Sequence, residues 1–172
     1  MSTTPTTMFI AIMTVAVADD SADQRASQFH ASFRCFEYLY TGDYSSSPSS
    51  ALADMGIPDD NALMRHVRVY QTARFLGVPH LMQLATEKLA ALVDSEPLDG
   101  RFLDVIRAVY HPAYAPPHAA CLMRETVVEL AVAYSDDMGP ALQELLQERS
   151  VAFDAARFES DLMQCQCFLG AR

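Results

Sequence analysis

The stretch from Asn61 to Val93 constrains the fold more than any other part of the chain. Leu63, Val67, Tyr70, Ala73 and Leu76 recur at spacings of four and three, which lines one face of a helix with apolar side chains. Gly77 then stands where a helix C-cap takes the left-handed conformation, and Pro79 stands where a following helix has its first residue. Leu81, Leu84, Ala85, Leu89 and Leu92 give that second helix, Pro79 to about Val93, its own inward face. Two helices joined so tightly form an antiparallel or angled pair. The chain is therefore expected to be mainly α, with Asp59 or Asp60 capping the first helix of the pair.

Upstream, "FRCFEYLYTGDY", Phe33 to Tyr44, places Phe33, Phe36, Leu39 and Tyr40 at i, i+3, i+6 and i+7, a helical face from which Arg34 and Glu37 point away. Thr41 and Gly42 end that helix, and Gly42 lets the chain reverse into Asp43 and Tyr44. Residues 45–60 hold five serines, two prolines and a glycine, the composition of an exposed variable loop. Asp19 to Ser32 is small and polar and reads as a connector. Met8 to Ala18, "MFIAIMTVAVA", is apolar and too short to cross a bilayer as a helix, which takes ~20 residues. It is rich in strand-favouring side chains, so one short strand is expected there. Its small-x-small ending also resembles a signal-peptide cleavage site, although no Lys or Arg precedes it.

Downstream the helical pattern continues. Phe102, Val105, Ile106 and Val109 mark a helix over Asp99 to Tyr110, and "HPAYAPPH", His111 to His118, breaks it with three prolines. Leu122, Val127, Leu130, Ala131 and Tyr134 mark the next, over Ala119 to Tyr134. Gly139 and Pro140 are expected to punctuate before a short helix with Leu142, Leu145 and Leu146. Val151, Ala155, Phe158 and Leu162 mark a last helix, ahead of a frayed tail from 164 to 172.

Charge and chemistry narrow the function classes. With 22 acidic against 12 basic side chains the formal charge is -10, which repels phosphate backbones and anionic lipid, so neither nucleic acid nor membrane is an expected partner. The cysteines, Cys35, Cys121, Cys165 and Cys167, lack the density of a secreted disulfide framework and read as reduced thiols of a cytoplasmic or nuclear protein. Cys165 and Cys167 lack two further ligands at zinc spacing, and His111 and His118 have no Asp, Glu or Cys nearby to complete a shell. Ser135 beside Asp136 and Asp137 has no histidine base placed by sequence. The chain carries no glycine-rich phosphate loop and no nucleophile elbow. No catalytic residue, cofactor or metal is expected.

"FRCFEYLYTGDY" resembles the helix-turn signature of the BTB/POZ family, in which an aromatic or leucine-rich helix runs into a Tyr-Thr-Gly turn. "ALMRHVRVYQTARFLGVPHLMQLATEKLAAL", Ala62 to Leu92, is similar to the helical pair that follows it in that fold, and most like filamentous-fungal members. The resemblance covers Phe33 to Val93 and, more loosely, a helical extension to Leu162. It implies the helical C-terminal half of an α+β parent fold. About thirty residues precede Phe33, so the strand pair and two helices that open the family's domain are expected to be missing, leaving at most one or two short strands.

The expected organisation is an N-terminal strand and connector over 1–32, a partial BTB/POZ domain over 33–94, a helical extension over 95–163 and the tail. Phe33, Phe36, Leu39, Tyr40, Val67, Tyr70, Ala73, Leu76, Leu81 and Leu84 are expected in the core, with Thr41, Gly42, Tyr44 and Pro79 shaping the turns. The resemblance implies a non-enzymatic protein–protein interaction module, either self-associating or serving as an adaptor for a cullin-type ubiquitin ligase. Arg34, Glu37 and Tyr38, with His80 and Gln83, are the expected partner-facing residues, beside an apolar patch left open by the missing half. The alternative is a secreted helical protein cleaved near Asp19.

Overall fold

A computed structural model describes residues 22–95, 100–112, 121–148 and 150–170. Met8 to Ala18, whether strand or signal segment, lies outside the described residues, as does most of the proline-rich stretch with His118. Among the described residues there are eight helices and no strand: α1 (Ala22–Thr41), α2 (Ser50–Asp54), α3 (Ala62–Leu76), α4 (Pro79–Ser95), α5 (Gly100–Val109), α6 (Leu122–Ala133), α7 (Ser135–Leu146) and α8 (Ala155–Gly170). The fold is mainly α, as the apolar spacings predict. The chain divides into two compact units between Ala85 and Thr86, inside α4 rather than at its end.

In the first unit α1 packs against α3. Val67, Val69, Tyr70 and Ala73 of α3 and Ala31 and Cys35 of α1 are buried. Asn61 caps α3, its side-chain oxygen accepting from the Met64 amide at 3.0 Å. Neither Asp59 nor Asp60 takes that role, because arginines engage both. Gly77 ends α3 at φ +67°, a left-handed conformation that its lack of a side chain permits at little cost. Pro79 then opens α4, where its missing N–H is no loss.

In the second unit α6 packs on α8, with α5 and α7 completing the cluster. Its centre is aromatic: the Tyr110 and Phe158 rings meet edge to face with centroids 5.0 Å apart, and Phe153 lies 6.0 Å from Phe158. Phe102, Val105, Ile106, Met123, Val127 and Leu145 bury around them.

Four sequence expectations are corrected here. The connector before Ser32 is helical from Ala22, because the run from Asp19 to Tyr40 holds no glycine or proline and is rich in helix formers such as Ala22, Gln24 and Ala26. The segment 45–60 carries a short helix, α2, instead of open loop throughout. Gly139 and Pro140 lie inside α7 and do not interrupt it. Pro140 withholds only the bond to the carbonyl of Asp136, an exposed residue where water can take its place. The tail expected from 164 is helical through Gly170.

Candidate functional site

α1 sorts its side chains in a way the aromatic pattern does not anticipate. Ala31, Arg34 and Cys35 are buried with His30, whereas Phe29, Phe33, Leu39 and Tyr40 face outward. Phe33 is 45% exposed, Leu39 43% and Tyr40 85%, so their expected place in the core is corrected. Phe36 is half-buried. The helix had two faces to offer α3, and it turned in the one made of small and polar side chains. The reason lies in Asp59.

Asp59 sits almost fully buried between α1 and α3 and collects the cations of both. Arg34 forks onto it, Nη1 donating to Oδ1 at 3.1 Å and Nη2 to Oδ2 at 2.5 Å. Arg65 places Nε 2.9 Å from Oδ2. His30 donates from Nε2 to the Ile57 carbonyl at 3.0 Å, and its Nδ1, which makes no hydrogen bond, faces Asp59 Oδ1 at 3.6 Å. Burial pushes the Asp59 carboxyl up, but the hydrogen bonds and charge of Arg34, with His30 and Arg65, outweigh it and hold the group below the usual carboxylate range. Planar two-point pairing of this kind is among the stronger charge-assisted contacts.

The same arginines grip the serine-rich segment by its backbone. Arg34 Nε donates to the Ser45 carbonyl at 3.1 Å and Nη2 to the Ser47 carbonyl at 3.2 Å, while Arg65 Nη1 donates to the Ser46 carbonyl at 2.9 Å. Glu37 accepts from the Ser45 amide at 2.8 Å. Tyr44 is buried with its hydroxyl 2.8 Å from His66 Nδ1. A cavity of about 210 Å³ opens beside this segment, lined by Phe33, Arg34, Glu37, Ser45, Ser47 and Pro48 among others.

The expected partner-facing set therefore splits. Arg34 is corrected: it is 3% exposed and structural. Glu37 and Tyr38 are half-buried, with Glu37 committed to the segment, while His80 and Gln83 are exposed on α4. Val67, Tyr70, Ala73, Leu81 and Tyr44 are buried, and Leu76 and Leu84 are half-buried. Thr41 closes α1, its hydroxyl donating to the Glu37 carbonyl at 2.7 Å, and Gly42 follows at φ +80°.

What the sequence reading missed is the outward stripe Phe29, Phe33 and Tyr40, spaced four and seven along α1, with Phe36 half-buried between them. Phe29 was its missing signal, hidden in the supposed connector. Phe29, Phe33, Leu39 and Tyr40 are the large apolar side chains that α1 leaves exposed. Among the described residues no group of three or more His, Cys, Asp or Glu is placed to hold a metal ion, and no helix is long and apolar enough to cross a membrane. Compared with known proteins, the chain matches no family model, no curated protein and no solved structure.

Proposed function

We propose that this chain is a non-enzymatic protein–protein interaction module of BTB/POZ type, acting in the cytoplasm or nucleus. In this reading it either associates with a second copy of itself or presents a substrate to a cullin-type ubiquitin ligase. The observation that carries the reading is the aromatic face of α1, which leaves Phe33 and Tyr40 in water on a helix whose other face is fixed by Asp59. An aromatic stripe on a helix is the form taken by helix-in-groove recognition, here with exposed anchors at i, i+4 and i+11. Docking shifts from the originally expected residues to Phe29, Phe33, Leu39 and Tyr40, and His80 and Gln83 remain a secondary surface. The formal charge of -10 favours a partner whose rim is basic.

Two measurements test this together. Light scattering behind a sizing column, across a range of concentrations, reads self-association. Calorimetry against a purified cullin N-terminal fragment reads the adaptor role. The expected result is binding in one of the two, weakened at least tenfold in a Phe33→Glu, Tyr40→Glu double variant that keeps its helical circular dichroism. A chain that stays monomeric and binds no cullin fragment would overturn the proposal.

A further inference from the structure

We propose that Ser47 is a phosphorylation site for a proline-directed kinase, and that the phosphate releases the 45–50 segment from the arginine pair that holds it. Two hydroxyl–proline pairs occur in the chain, Thr4–Pro5 and Ser47–Pro48, and the second lies among the described residues. Ser46, Ser47 and Pro48 are exposed. The segment is held by its carbonyls, through Arg34 and Arg65, and by the Ser45 amide on Glu37, so the Ser47 hydroxyl that would accept the phosphate is not among the groups that anchor it. Ser46 and Ser47 lie in a bend of the chain just ahead of Pro48.

The chemistry is balanced with ATP as donor. The Ser47 oxygen forms a bond to the γ-phosphorus, the bond from that phosphorus to the bridging β,γ-oxygen breaks, ADP leaves, and the hydroxyl proton passes to the kinase's base.

The direction of the response follows from what Arg34 already holds. Arg34 directs Nε and Nη2 to the Ser45 and Ser47 carbonyls and both Nη atoms to Asp59. Arg65 faces Asp59 through Nε, which makes no hydrogen bond, and donates from Nη1 to the Ser46 carbonyl. A phosphate on Ser47 adds up to two negative charges at pH 7 next to the cavity that Glu37 also lines, and the Ser47 carbonyl already shares Arg34 Nη2 with the Asp59 carboxylate. Taking the arginines for itself would leave Asp59 buried without its partners, which is far costlier than moving an exposed segment. The segment yields instead. This inference holds whether or not the aromatic face of α1 docks a partner.

The test treats the full chain, and a Ser47→Ala variant in parallel, with a proline-directed kinase and Mg·ATP. Fragment mass spectrometry locates the phosphate and separates Ser47 from Thr4, and hydrogen exchange follows the amides of residues 45–57. The expected result is phosphate on Ser47 and exchange at least fivefold faster across the segment, with neither change in the variant. Ser47 left unmodified on the folded chain overturns the proposal. So does a phosphorylated chain whose segment exchanges with a smaller increase or more slowly, the last meaning that Arg65 captures the phosphate.

Discussion

The two units solve the same problem with opposite materials. The second buries its aromatics: Tyr110, Phe153 and Phe158 meet at its centre, and the one polar group among them, the Tyr110 hydroxyl, donates to Asp161 at 2.8 Å. The first leaves most of its α1 aromatics outside and joins α1 to α3 through a carboxylate, two guanidiniums and an imidazole. Apolar burial is non-directional, so the second unit can trade shape for shape. A forked ion pair fixes distance and rotation at once, so α1 has one register against α3 and its free face a fixed orientation.

Substitutions can break this comparison. The largest effect is expected from Phe158→Ala, which removes the fully buried ring at the centre of the second unit; a loss of about 4 kcal/mol should appear in urea unfolding. Asp59→Ala strands Arg34 as a buried cation and should cost about 3 kcal/mol, with the loss confined to the first unit as read by hydrogen exchange. If it costs nothing, the polar join is ornamental and the contrast between the units fails.

Acid sharpens the same point. Because the folded-state Asp59 carboxyl titrates below its unfolded value, its contribution is present above the ordinary carboxylate range and is lost as pH falls through the lowered folded value. Stability of the first unit should decline over that acidic window, and Asp59→Ala should flatten this part of the profile. Asn61→Ala, which removes the α3 cap, should cost about 1 kcal/mol by urea unfolding. The smallest effect is expected from Tyr40→Ser, within about 0.5 kcal/mol, since the ring is 85% exposed. A larger loss would mean that the aromatic face of α1 supports the fold after all.

The elements that local chemistry dictates were legible in the sequence. The α3 stripe, the Gly77 cap and the Pro79 start follow from neighbours within a few positions, and the structure has them where the spacing puts them. The inward face of α1 was not legible, because its cause is 25 residues away: Arg34 is buried on account of Asp59, and helical spacing within α1 carries no trace of that. Hydrophobicity then pointed the wrong way at Phe33, Leu39 and Tyr40, since the largest apolar side chains were taken for the buried ones. Pro140 misled for a related reason. Pro140 stands mid-helix and forfeits one bond, to an exposed carbonyl that solvent can serve, so its identity alone does not fix a boundary.

Cys35 lies beside Arg34 on the hidden side of α1, fully enclosed, and burial pushes its thiol up to about 12 against the weaker opposing pull of the arginine. Since the thiolate is the reacting form, this sulfur is chemically silent while the first unit stays closed. Cys167, exposed on α8, has no such enclosure. An exposed thiol and an enclosed one thus stand in the same chain, and the lag between their alkylation is an internal clock for the opening of the Asp59 join.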